Sequence, residues 1–246
     1  MNTTLHTLNN HRSIRAYTDQ PVSEEMLTAL ITAVQHAPSS INGQQVSLVV
    51  TRDPEKRQRI SAIAGGQPWI ARAPVFITLV IDFHKTGLGV AKAGATQIIQ
   101  ESLESTMVGA VDAGIILGNL MTAAESLGLG IVPIGAIRAN PRAMIDLLHL
   151  PRHTFPVVGM CLGHPANPSH PKPRLPLNTF RHDEHYQETG LAEAIDLYDQ
   201  TLQDHWKQVT RSAGEPWSTS ISQFYSRIYF PNVHPVAREQ GFLNDK

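Results

Sequence analysis

The chain has 246 residues, 41% hydrophobic and 17% charged, a composition that builds a packed core and excludes a disordered chain. With 20 basic and 21 acidic side chains the formal net charge is -1, which removes any general electrostatic pull toward nucleic acid or anionic membrane. One cysteine, Cys161, excludes an internal disulfide framework and a cysteine-based zinc site and suits a reducing cytoplasm.

Met1 to Asn10 is polar, so it does not read as a signal peptide, and no 18-residue run of the chain reads as a membrane span. Leu5 and Leu8 predict a short first helix. It runs into His11-Arg12-Ser13-Ile14-Arg15, where two guanidiniums, an imidazole and a hydroxyl fall within five residues and Tyr17 follows. Guanidiniums fit phosphate oxygens in two-point fashion, although a solvated basic turn has the same composition. Ser23 is an N-cap with Glu24 and Glu25 behind it, and Leu27, Leu30, Ile31 and Val34 keep helical spacing up to Ala37-Pro38. Ser39 to Gln45 is a polar loop, either a plain connection or a presenter of donors to a ligand.

Val46 to Thr51 predicts a strand. Asp53-Pro54 starts a helix through Ile60 and Ile63 that Gly65-Gly66 ends. Val75 to Ile81 predicts a buried strand, and Phe83 to Ile98, dotted with Gly87, Gly89 and Gly94, a mobile excursion. Met107 to Leu127 is the longest helical pattern, apolar on nearly every face and so expected to be surrounded by protein. Gly109, Gly114 and Gly118 weaken it by roughly 1 kcal/mol each, which close packing of a backbone or a flat ligand would offset. Gly128 to Ile137 reads as turn, strand and turn; Asn140-Pro141 opens a helix to Leu148; Phe155 to Leu162 is a further strand. Prolines 165, 168, 171, 173 and 176 hold the next segment extended around Lys172-Pro173-Arg174, and a helical third follows Gly190. The mix predicts an α+β or α/β fold with one main core.

Several motifs are missing or incomplete. Gly128-Leu129-Gly130 lacks the third glycine of a dinucleotide fingerprint, and no P-loop occurs. Gly159-Met160-Cys161-Leu162-Gly163 has the spacing of a nucleophile elbow, but His164-Pro165 stands where the elbow needs a helix. His182-Asp183-Glu184-His185 could seed a metal site only with further ligands, so no metal is expected. What remains is a pair of basic anchors, His11–Arg15 and Lys172/Arg174, with an amide-rich loop and a glycine-dotted helix between them. They suit a ligand that is flat, apolar on its faces and phosphorylated at one end. FMN meets that description, as could another phosphorylated cofactor.

His11-Arg12-Ser13-Ile14-Arg15, Pro38-Ser39-Ser40, Gly65-Gly66-Gln67, Glu125-Ser126-Leu127-Gly128-Leu129-Gly130, Ile134-Gly135 and Lys172-Pro173-Arg174-Leu175-Pro176 stand in the order and at the distances of the flavin reductase and nitroreductase A family. The chain resembles that family along its whole length. The resemblance implies a central, mainly antiparallel sheet flanked by helices, formed by one nitroreductase domain over residues 1–246 with a helical extension from about residue 190. It implies an intertwined homodimer with one FMN at each interface. It implies two-electron transfer from NADPH or NADH through FMN, by a ping-pong route, to small acceptors such as nitroaromatics, quinones or free flavin. The alternatives are a non-catalytic flavin-binding protein and a cysteine hydrolase built on Cys161.

Carried over by position, the resemblance assigns His11, Arg12, Ser13 and Arg15 to the phosphate and ribityl side, with Lys172 and Arg174 also on the cofactor. Ser39 and Gln67 would touch the flavin, with Pro68 and Trp69 close by, and Pro133, Ile134, Gly135 and Ala136 would line the isoalloxazine. Relatives often carry Tyr-Ile-Gly-Gly at those last four positions. Ser40 and Ile41 would face the substrate; Lys207, Arg211 and Arg227 are the nearest candidates for the nicotinamide 2′-phosphate. No protein side chain is assigned to the chemical step itself, because the cofactor carries the redox chemistry.

Overall fold

In a computed structural model, residues 2–167, 169–209 and 214–246 are described. The chain forms two compact units: residues 1–169 together with 230–246, and residues 170–229. The first holds a four-stranded sheet of β1 (Val46–Thr51), β2 (Val75–Asp82), β3 (Gly130–Ile134) and β4 (Thr154–Gly163), in the order β1-β2-β4-β3. Every pairing is antiparallel, with a bulge between Leu79 and Val80.

The alternation of side chains along a strand divides the core in two. Ile77 and Leu79 of β2, Ile131 of β3 and Met160 and Leu162 of β4 pack with Leu27, Leu30 and Val34 of α2 (Glu24–Gln35) and Leu120 of α6 (Leu103–Ser126). Phe76, Val132, Ile134 and Cys161 face the other way, toward Ile60 of α3 (Pro54–Ile63), Ile70 of α4 (Pro68–Arg72) and Met144 of α7 (Pro141–Leu148). Because β2 is covered on both faces, it reads in sequence as a nearly continuous apolar run from Val75 to Ile81, interrupted by the buried Thr78, rather than an alternating one. The caps are local. Ser23, Asp53 and Asn140 each accept a backbone N–H of the first helical turn, and α3 ends where Gly65 and Gly66 take φ of +80° and +77°.

Two expectations need correction. Phe83 to Ile98 is not an excursion: α5 (Phe83–Lys92) starts at once after β2, with Asp82 accepting from Lys85 N–H, and Gln97 ties back to Phe83 O and Thr86. A side-chain cap and an amide brace outweigh the cost of Gly87 and Gly89. Within one chain the long helix α6 keeps an open face. Leu103, Met107 and Val111 are 51%, 56% and 60% exposed, and an open groove of about 700 Å³ runs between α1 (Thr3–Asn9), α2 and α6 past Gly114 and Gly118. Of its three glycines only Gly109 is in tight contact, where a Cβ would lie 2.7 Å from Ile81. By length and composition α6 also passes as a membrane span, with a mean hydropathy of 1.5 over 18 residues, contrary to the reading of the sequence. It lies against α2 and the sheet, and its one mid-helix acid, Asp112, is buried.

The C-terminal residues return to the first unit. α10 (Val233–Glu239) leads to Phe242, which is buried with edge contacts to Phe83 and Phe155 at 6.0 and 6.3 Å. Backbone bonds then tie Leu243 N–H to Gln100 O and Asp245 N–H to Glu101 O. The second unit carries the extended proline-rich segment, α8 (Leu191–Gln208) and α9 (Trp217–Tyr225), packed around Tyr198, Leu202 and Trp206.

Candidate functional site

The basic stretch between α1 and Tyr17 is extended chain laid along the free edge of β3. Ile14 N–H donates to Ile131 O at 2.8 Å, and Tyr17 O–H returns to Ile14 O at 2.7 Å. Tyr17 also bridges to Pro165 just beyond β4, and Thr18 N–H reaches His164 O. The close fit depends on Gly130, where a Cβ would lie 2.7 Å from Ile14 Cγ2. Held in this way, the flanking polar side chains project from a fixed edge and not from a loose turn.

Each has a different neighbour. His11 Nδ1 meets Glu125 Oε1 at 2.7 Å in a half-buried pair near the end of α6. Arg12 donates to Asn10 O and lines a cavity of about 490 Å³ with Glu125, Gly128, Gly130, Pro165 and Asn167. Arg15 places its guanidinium carbon 5.3 Å from the centre of the Trp69 ring, within cation–π range. Among the described residues Arg52, Arg142, Arg181 and Arg238 pair with carboxylates, whereas Arg12 and Arg15 pair with none.

Gln67, Pro68 and Trp69 open α4. Gln67 is its N-cap, its amide donating to Ala64 O while its own carbonyl accepts from Ser61 Oγ. Pro133 and Ile134 end β3, and Gly135 and Ala136 begin the 3-10 turn after it. Trp69, Ala136 and Tyr17 border the same core cluster, which puts the start of α4, the end of β3 and the basic stretch on one side of the sheet.

Ser39, Ser40 and Ile41 lie apart from that group. No hydrogen bond, ion pair or ring contact among the described residues joins them to Arg15, Gln67 or Pro133–Ala136 within one chain. Ser40 N–H donates to both carboxylate oxygens of Asp112 on α6, at 3.2 and 3.4 Å, and Gln45 Nε2 donates to the same group.

In the second unit Lys172 Nζ lies 5.3 Å from the Trp206 ring, Arg174 folds onto Lys172 O at 2.8 Å, and Tyr198 O–H holds Pro173 O at 2.9 Å. Burial raises the Tyr198 phenol above its usual range, and the Arg174 charge pulls it back. Lys207 pairs with Asp204, Arg227 is exposed, and Arg211 lies outside the described residues. His182 stacks on Tyr186 while Arg181 holds Asp183.

Cys161 sits inside β4 with no exposure, and burial pushes its thiol up to about 12. β4 then runs into extended chain. A buried, protonated sulfur without a following helix is a core residue and not an activated nucleophile.

A family model described as "Nitroreductase family" matches residues 8–164, and one described as "Nitroreductase family, C-terminal domain" matches residues 172–245. The chain belongs to the nitroreductase family. This nitroreductase is 46% identical over 249 residues to the FMN reductase (NAD(P)H) of Bacillus subtilis, covering 100% of both chains. It is 36% identical to the NADPH-flavin oxidoreductase of Vibrio harveyi, over 98% of each. The solved structure of NfrA2 from B. megaterium superposes with a TM-score of 0.97 at 42% identity, over 100% of both chains.

Within this family member the sequence reading overlooked two acids. Glu125 stands in the Glu-Ser-Leu-Gly-Leu-Gly run but had no role there; its role is to hold His11. Asp112 was visible as a charge in an apolar helix, a pattern that calls for a buried partner.

Proposed function

We propose that the protein is an FMN-dependent oxidoreductase that moves two electrons from NAD(P)H to nitroaromatics, quinones or free flavin. The names carried by its relatives support this, and so does the donor set. The observation that carries it is the pair of guanidiniums, Arg12 and Arg15, fixed beside β3 with no acid partner among the described residues. Such a pair suits a phosphate, and the neighbouring Trp69 and the Pro133–Ala136 turn supply an apolar wall for a flat ring. When bound, FMN supplies the two-electron chemistry, in separate half-reactions with the nicotinamide and the acceptor.

The residues have binding and tuning roles. Arg12, Ser13 and Arg15 would hold the phosphate and ribityl groups, with His11 oriented by Glu125. Gln67, Pro68, Trp69 and Pro133 to Ala136 would border the ring, and Lys172 and Arg174 would add positive charge that favours electron uptake. Ser40 and Ile41 would face the acceptor, and Lys207, Arg211 and Arg227 the nicotinamide end. Separation of Ser39–Ile41 from Gln67 within one chain supports a homodimer in which one protomer's loop reaches its partner's cofactor. The open face of α6 is the natural seam. A reducing cytoplasm is the compartment that the single buried thiol suits.

The test is anaerobic. The purified protein should be yellow, NADPH or NADH should bleach it, and a quinone should restore the colour. A colourless protein that does not take up FMN, or a yellow one that neither nicotinamide bleaches, overturns the proposal.

A further inference from the structure

We infer that Asp112 is a positioning residue for the substrate-facing loop, setting the shape of Ser39–Gln45 from beneath. The inference rests on the oxidoreductase reading only where it names a substrate.

The loop is held in an unusual conformation. Ile41, Asn42 and Gln44 have φ of +50°, +56° and +50°, a region that a β-branched residue such as Ile41 avoids. Such geometry persists only where surroundings impose it. Packing within one chain does not impose it: Ile41 is 97% exposed there. An open cavity of about 270 Å³ bordered by Ser39, Gln44, Gln45, Val34 and Leu48 adjoins the loop.

Hydrogen bonds do the holding. Asp112, only 2% exposed, takes Ser40 N–H at the entry and the Gln45 amide at the exit, so one carboxylate pins both ends. Ser39 Oγ closes the loop by accepting from Gln44 N–H at 3.1 Å. At the middle Gly43 has no room for a side chain, since a Cβ would lie 2.3 Å from Gln45 Oε1. Without Asp112 the loop loses the hold on Ser40 N–H and on the Gln45 side chain, keeps the Asp82 N–H bond to Gln45 O and its own Ser39–Gln44 closure, and carries strain to release. The acceptor pocket would then change shape while the rest of the site kept its own supports.

The experiment compares FMN-loaded wild type with Asp112→Asn, Asp112→Ala and the double variant Gln45→Glu/Asp112→Asn. The double variant rebuilds the amide–carboxylate contact with the partners exchanged. Asp112→Ala should raise KM for 1,4-benzoquinone about tenfold. Turnover and FMN content should stay within about twofold. Amide exchange at Ser40 and Gln44 should quicken in both single variants, and the double variant should recover most of the KM. An unchanged KM with unchanged exchange overturns the inference. So does a parallel loss of FMN, turnover and KM, or a failure of both single variants to fold, since each marks a general structural role. If the wild type shows no NAD(P)H-dependent turnover, the proposed function fails, while exchange at Ser40 and Gln44 still decides the role of Asp112.

Discussion

Arg15 lies over the indole of Trp69, so the first basic cluster of the chain and the start of α4 share one contact at 5.3 Å. A guanidinium stacked on a ring is pre-organised: it presents its donors without losing much further freedom on binding. Replacing Arg15 by Ala should therefore weaken FMN more than it weakens folding. The lost charge-assisted bond is worth roughly 1.5–3 kcal/mol, or about ten- to a hundredfold in Kd. Titration of the apoprotein with FMN measures it, and an unchanged Kd would remove Arg15 from the site.

Gly130→Ala should disturb the same site from beneath. The new methyl would press on Ile14 and push the basic stretch off β3, at a cost of about 1–3 kcal/mol. Gly89→Ala in α5 meets nothing within 4 Å and serves as the control, with an expected gain of roughly 0.5–1 kcal/mol. Denaturant melts and FMN titrations on both variants check the pair. Equal effects would mean that the Ile14 contact has no special weight.

In solution the protein should be a homodimer that Met107→Asp/Val111→Asp splits. Both positions are exposed on α6, and two added charges per protomer would be costly to bury in an apolar seam. Light scattering at micromolar concentration reads the mass; a monomeric wild type would refute the α6 seam.

Cys161→Ala should keep its turnover per bound FMN, because no protein nucleophile takes part. It should lose stability on the order of 1 kcal/mol through a small cavity. A pH effect accompanies it. Burial raises the folded thiol from 9.0 to about 12, so its neutral form stabilises the fold fully below 9.0, and that contribution is lost as pH climbs toward about 12. Stability curves of wild type and variant should therefore converge across that alkaline window. Parallel curves, or a hundredfold fall in flavin-normalised turnover, would overturn the assignment.

Much of the fold was legible because its signals are local. β1 spans Val46–Thr51 as its β-branched run predicts, and Ser23, Asp53 and Asn140 cap the helices they announce. The helix α5 was missed because two glycines hide it, while its brace, Gln97, comes after the helix has ended. At the site, the basic stretch and the Gln67–Trp69 run stood out by residue type. The Glu125 and Asp112 roles did not: each depends on a partner far away in the chain, and no spacing rule encodes it.

The capture of Phe242 between Phe83 and Phe155 has a bearing on how the chain is made. The first unit is completed by residues 230–246, which are made only after the whole of residues 170–229. During synthesis the sheet must therefore wait with an aromatic slot open until the second unit has been made. Loss of the residues from Phe242 onward would cost this protein far more than their number suggests.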